Sequence, residues 1–255
     1  MGDFKGKTVW IVGASSGIGA ALAAELDRRG AKLVLTARRG DELAAVNRSL
    51  GDRHCIIPAD VADEKALAGV ADNIGSMDSA IFMAAVYTPT MLEDMDIGTA
   101  RQTVEVNIMG ALNFINAVYG PMRAQKHGQI VLCGSVAGYC GLPTGQPYGA
   151  TKAAVINLAE SLRVEAAVHG IDVRVINPGF VRTPLTAKNN FEMPMIMEPE
   201  DAARTLADGL LGKQFEIRFP VKFTRLVRFL SRLPYPLFFK ISSGMLEKRA
   251  NARRG

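Results

Sequence analysis

Tyr148-Gly149-Ala150-Thr151-Lys152 sets a phenol and an ammonium four residues apart, and on a helix that spacing brings both to one face. A phenol with a pKa of about 10 is a poor base near neutrality, but a neighbouring cation favours its phenolate, so the pair is suited to general acid/base work. Tyr and Lys four apart are common on ordinary helix surfaces, so the pair gains weight only from its surroundings. Ser135, in Cys133-Gly134-Ser135-Val136-Ala137-Gly138, stands thirteen residues before Tyr148 at the end of an apolar run. Much earlier, Gly13-Ala14-Ser15-Ser16-Gly17-Ile18-Gly19 follows the first apolar run and opens a helical pattern. Backbone amides and a helix N-terminus can there face a pyrophosphate without side-chain obstruction.

A structural turn would share that composition, but a strand before and a helix after are the context a dinucleotide site requires. The second apolar run ends Leu35-Thr36-Ala37-Arg38-Arg39. A site preferring NAD usually places an acid here for the ribose 2′-hydroxyl, whereas arginine accommodates a 2′-phosphate. Ala37 followed by Arg38 and Arg39 therefore points to NADP, against the plainer reading of two solvated arginines at a helix start. Asp60-Val61, after the third strand, is placed to hold the adenine edge or to cap a helix.

These residues must be positioned by alternating elements. Lys7 to Val12 reads as a strand, and Gly17 to Arg29 as a helix with Ile18, Ala21, Leu22 and Leu26 on one face. Further strands are expected at 32–36, 55–57, 79–83, 129–133 and 172–176. Helices are expected at 41–50, 64–74, 101–123 and 148–168. Strands alternating with helices imply right-handed crossovers and a doubly wound, mainly parallel α/β sheet of the Rossmann type, with ligands beyond the carboxyl ends of the strands. After Asn177 comes a loop with Pro184, Pro194 and Pro199, a helix near 201–211 and a last strand at 215–219.

Over about residues 5 to 219 the chain resembles the short-chain dehydrogenase/reductase family, on the strength of the glycine motif, the Tyr148/Lys152 pair and Ser135. The resemblance implies that Ser135 hydrogen-bonds the substrate oxygen. It implies that Asn107, in Val106-Asn107-Ile108-Met109-Gly110, links Lys152 to solvent by way of water. Pro178-Gly179-Phe180-Val181-Arg182-Thr183 matches the segment that cradles the nicotinamide, with Val181 and Thr183 touching its carboxamide. Hydride would then pass between the nicotinamide and a substrate carbon while Tyr148 moves the proton on oxygen. Lys152 would bias the tyrosine and bind the nicotinamide ribose. Each residue also has a structural alternative: Ser135 a strand-end turn, Asn107 a packing amide, Lys152 a surface residue. The chain departs from the family after the fourth strand, where Asn-Asn-Ala-Gly is usual and Phe82-Met83-Ala84-Ala85 stands here, which puts the local hydrogen bonding in doubt.

The chain has 255 residues with the hydrophobic and charged content of a globular protein with a core. One catalytic unit, residues 1–219, and a basic amphipathic extension, 220–255, are expected. Three cysteines without metal spacing suggest neither disulfides nor a zinc site, and no metal is expected. No apolar stretch has signal-peptide length or spans a membrane, so the cytoplasm is the expected compartment. From 213 to 255 there are 11 Lys/Arg against 2 acids, while residues 1–212 carry 19 against 23, so nucleic-acid binding is not expected of the catalytic portion. Phe223, Leu226, Val227, Leu230 and Leu233 form one stripe of the extension, and Lys222, Arg225, Arg228 and Arg232 mostly another. Such a helix can lie peripherally on an anionic membrane, cap the substrate pocket or enter an oligomer interface. Phe191, Met193, Met195, Ile196 and Met197 suggest an apolar lid and a lipophilic carbonyl or alcohol as substrate, or packing against the extension. A homo-oligomer is the family expectation. The leading reading is an NADP(H)-dependent oxidoreductase; a non-catalytic NADP-binding redox sensor or scaffold, and an epimerase or dehydratase, are the alternatives.

Overall fold

The computed structural model describes residues 4–252; the outermost residues of the two expected segments, 1–3 and 253–255, lie outside the described residues. The order is β1 Thr8–Val12, α1 Gly17–Arg28, β2 Lys32–Thr36, α2 Gly40–Ser49, β3 Cys55–Ile56, α3 Glu64–Ile74, β4 Ser79–Phe82, α4 Ile97–Val104, α5 Gly110–Gln125, β5 Gly128–Cys133, α6 Tyr148–Ala167, β6 Ile171–Pro178, α7 Pro199–Leu211, β7 Glu216–Phe219, α8 Val221–Leu230 and α9 Tyr235–Ala252. The seven strands form one parallel sheet in the order β3-β2-β1-β4-β5-β6-β7. The winding reverses between β1 and β4, so the crevice above these two strands is where such sheets take ligands.

Apolar runs without polar alternation suit strands covered on both faces. In β1, Val9 and Ile11 pack with Leu22 and Leu26 of α1 and Leu206 and Leu210 of α7 on one face, while Trp10 and Val12 pack with Phe114 of α5 and Val155 and Ala159 of α6 on the other. Trp10 satisfies its indole N–H on Thr36 Oγ1 at 2.9 Å, so the large ring is buried without an orphaned donor. Pro199 at the start of α7 and the Asp63 side chain, which accepts from the Ala66 amide at the start of α3, fix where those helices begin.

The single helix expected over 101–123 is two helices, α4 and α5, joined by a π turn at Glu105–Met109. Continuous apolar periodicity does not reveal an extra residue in one turn, because the flanking turns remain helical. The Phe82 to Ala85 segment is held by other means than side-chain amides. Phe82 is fully buried against Phe114, ring centroids 5.4 Å apart, and Met83 donates its amide to the Val12 carbonyl at 2.7 Å. Beyond β7 the extension packs back onto the sheet edge: Thr224 and Val227 of α8 and Phe238 of α9 are buried.

Candidate active site

The glycine turn sits at the carboxyl end of β1. Gly13 adopts a φ of +93°, and a Cβ there would stand 2.5 Å from the Ala84 amide nitrogen; at Gly19 a Cβ would meet the Gly13 carbonyl oxygen at 2.1 Å. The turn is therefore folded tightly on itself and on the segment after β4, and only glycine fits. Its open side, with Ser15, Ser16, Gly17 and Ile18, faces a cleft of about 350 Å³. The cleft continues past Arg38, Arg39, Asp60 and Val61 to Ser135, Tyr148 and Lys152, and on to Pro178, Gly179, Val181 and Thr183. Backbone donors at a helix N-terminus, two arginines and an apolar cradle fit the successive parts of a dinucleotide.

Within the cleft, Ser135 and Tyr148 line the same wall, and Ser135 Oγ accepts from the Ala137 amide at 3.1 Å. Lys152 is buried, its Nζ donating to the Cys133 carbonyl at 2.7 Å and lying 5.5 Å from the centre of the Tyr148 ring. Burial pushes the Tyr148 phenol well above its ordinary range and pulls the Lys152 ammonium below its own. The Lys152 ammonium is directed at a backbone carbonyl, and desolvation is the largest influence on the phenol.

Asn107 does not join the cleft. It is fully buried at the π turn, where Oδ1 accepts from the Val86 amide at 2.8 Å and Nδ2 donates to the Val86 carbonyl and to Thr151 Oγ1, both at 3.0 Å. The side chain ties the chain after β4 to the helix that bears Tyr148 and Lys152, and it supplies hydrogen bonding beside the segment that lacks the usual asparagines.

The two arginines differ. Arg39 closes on Glu42 at 2.5 Å, whereas Arg38 stands 3.8 Å from Asp60; both side chains are more than half exposed. Of the two, Arg38 has the looser ion pair.

Several lining residues carried no sequence signal. Tyr87 meets Tyr148 edge to face at 4.9 Å and donates its hydroxyl to Asn189 at 2.8 Å, pinning the loop after β6 across the cleft. Leu142 and Leu185 line the apolar end, beside Phe180 of the segment already expected as the nicotinamide cradle. Of the five apolar loop residues only Phe191 reaches the cleft; Met197 pairs by backbone with Phe180 and Arg182, and Met195 is exposed. Their expected role passes in part to Phe223 of α8, which lines the cleft and packs tilted on Phe180 at 5.1 Å, itself 5.9 Å from Phe191. The helix is anchored by Arg228, paired with Glu216, which also accepts from the Tyr139 hydroxyl and from Asn177 Nδ2.

A profile of the family described as short chain dehydrogenase matches residues 7–193. An uncharacterized oxidoreductase of Myxococcus xanthus is 33% identical over 245 residues, which make up 93% of this chain and 97% of that one. A solved short chain dehydrogenase from Burkholderia cenocepacia J2315 in complex with NADP is similar with a TM-score of 0.84 and 25% identity, over 93% of this chain and 98% of that one. A short chain dehydrogenase/reductase from Burkholderia phymatum in complex with NAD has a TM-score of 0.82 and 23% identity, over 89% and 94%, a likeness of fold alone.

Proposed function

The chain belongs to the short chain dehydrogenase family and is an oxidoreductase, and on that premise we propose that it interconverts a carbonyl and an alcohol with NADP(H), acting on a lipophilic substrate. The observation that carries this reading is that Ser135, Tyr148 and Lys152 line one cleft together with the glycine turn.

When bound, the nicotinamide supplies hydride in reduction and accepts it in oxidation. The glycine-turn amides and the start of α1 hold the pyrophosphate, Arg38 takes the 2′-phosphate, Asp60 and Val61 flank the adenine, and Pro178 to Thr183 cradle the nicotinamide. Ser135 orients the substrate oxygen toward Tyr148 Oη. Tyr148 gives its proton to that oxygen in reduction and takes it back in oxidation, while Lys152 offers a donor toward the ribose. The apolar end built by Tyr87, Leu142, Phe180, Leu185, Phe191 and Phe223 supports a lipophilic substrate. Exposed Leu112 on α5 and Val164 on α6 support assembly into a homo-oligomer through those helices.

NADPH oxidation measured against ketones and aldehydes of increasing apolar size tests the reading, with Tyr148→Phe beside the wild type. Turnover that falls by at least about a hundredfold in the variant, in line with a lost general acid, is expected. Cofactor binding with no turnover of any compound would instead favour a redox sensor, and turnover confined to small polar carbonyls would remove the lipophilic substrate.

A further inference from the structure

Helix α8 has two unlike faces. Its inner face carries Thr224 and Val227 into the core and Phe223 to the cleft. A solvated outer face would carry mixed polar side chains. Here the exposed positions are Val221, Lys222, Arg225, Leu226 and Phe229, that is, cations and bulky apolar groups alone. Leu226 and Phe229 are 52% and 61% exposed. The pattern continues into α9 across a short loop, with Arg232, Tyr235, Leu237, Phe239 and Lys240 exposed and Tyr235 stacked on Phe239 at 5.5 Å.

The charge pattern is equally one-sided. No Asp or Glu occurs between Glu216 and Glu247. Among the described residues, Lys222, Arg225, Arg232 and Lys240 form no ion pair, and the acid-free stretch leaves no neighbouring carboxylate in sequence to neutralise them. Nor is any helix of the described residues long and apolar enough to cross a membrane.

We propose that the outer face of α8 and the start of α9 form a docking surface for an anionic lipid bilayer, with Leu226, Phe229, Leu237 and Phe239 entering the acyl boundary and Lys222, Arg225, Arg232 and Lys240 meeting the headgroups. Apolar side chains ringed by cations on a helix too short and too charged to span are the composition of an element lying in the interfacial plane. A second copy of the chain suits the face less well, since a symmetric contact would set the same unpaired cations against one another. The docked chain holds its cleft at the lipid surface through Phe223, where apolar carbonyl compounds partition; that consequence rests on the proposed function, whereas docking itself does not.

Flotation of the full chain with phosphatidylcholine vesicles, with and without phosphatidylglycerol, tests docking without any need for turnover. The wild type is expected to float with the anionic vesicles, to stay behind with neutral ones and to be released by salt. Leu226→Ser with Phe229→Ser, and separately Lys222→Glu with Arg225→Glu, are each expected to cut binding by about tenfold or more, while melting temperature and NADPH affinity stay at wild-type values. No binding by the wild type, or equal binding to neutral vesicles, would overturn the proposal. So would a shift in oligomeric mass in the apolar double variant, which would identify the face as an interface between copies. A chain that docks but turns over no carbonyl refutes the proposed function and leaves the docking surface standing.

Discussion

Asn107 Nδ2 donates to Thr151 Oγ1 at 3.0 Å, and that hydroxyl in turn donates to the Tyr148 carbonyl at 2.7 Å. A residue outside the cleft thus sets the first turn of the helix whose Tyr148 and Lys152 lie inside it. Asn107→Ala removes this link and also strips both backbone groups of Val86 of their partner. The cost is about 1–2 kcal/mol, since Val86 is half-buried at the cleft wall and water reaches part of what the side chain leaves unpaired. Thr151→Val removes the link alone. It is expected to lower kcat by about tenfold with NADPH affinity unchanged, as a small misplacement of the acid would. Calorimetry on the first variant and a kcat-against-Kd comparison on the second check the two halves; equal kcat in Thr151→Val and wild type would reduce Asn107 to packing.

Burial of Lys152 has a stability signature. Its folded-state pKa lies below the 10.5 of the free side chain, so between the two values the unfolded chain binds more protons and stability rises with pH. Tyr148 acts oppositely: its raised pKa contributes stability that is full below about pH 10 and is lost as pH rises through the folded value. Lys152→Met keeps the volume and removes the buried cation. Near neutral pH it is expected to unfold no earlier than the wild type, because replacing a buried charge with an apolar isostere is commonly neutral or stabilising. The difference should shrink as pH approaches 10.5, while turnover collapses at every pH. A melting temperature several degrees below wild type at pH 7 would show that the bond to the Cys133 carbonyl outweighs the desolvation.

What was legible in the sequence followed from local periodicity. Lys32–Thr36 and Glu64–Ile74 stand where the apolar spacing puts them, and the glycine turn reads directly because its crowding against Ala84 is a backbone matter. Contacts between distant segments were not legible. Tyr87, Phe180 and Phe223 reach one cleft only through the sheet order, and the Asn189 to Tyr87 bond spans 102 positions. The π turn at Asn107 leaves no trace in composition, and the Met-rich loop was misleading because its backbone pairing turns Met197 toward the core.

Arg38 is held loosely by Asp60 and Arg39 tightly by Glu42, so the two should not contribute equally to cofactor choice. Arg38→Ala is expected to weaken NADPH by about ten- to a hundredfold and NADH little, the range of one charge-assisted bond to a phosphate. Arg39→Ala should change NADPH affinity by only a few fold. Fluorescence titration with both cofactors measures this. Equal NADPH and NADH affinities in the wild type would overturn the assignment, and a larger loss at Arg39 would transfer it to the neighbour.

Phe223 offers a test of whether the extension shapes the substrate end. The ring packs tilted against Phe180, faces the cleft, and fills the space beside Gly179, where a Cβ would stand 2.7 Å from its edge. Truncation to alanine opens the apolar end without touching Ser135 or Tyr148. For a bulky apolar carbonyl the lost contacts should raise KM by about tenfold, the worth of roughly two methylenes of burial. For a small carbonyl that never reaches the ring, kcat/KM should hold within about twofold. Arg228→Met should give the same pattern in weaker form: it frees α8 from Glu216, yet Thr224 and Val227 still seat the helix. If Phe223→Ala lowers kcat/KM equally for small and large substrates, the ring supports the cradle at Gly179 rather than the substrate. Loss of activity with small carbonyls in Arg228→Met would likewise place the Glu216 cluster behind the proton-transfer residues rather than behind the pocket wall.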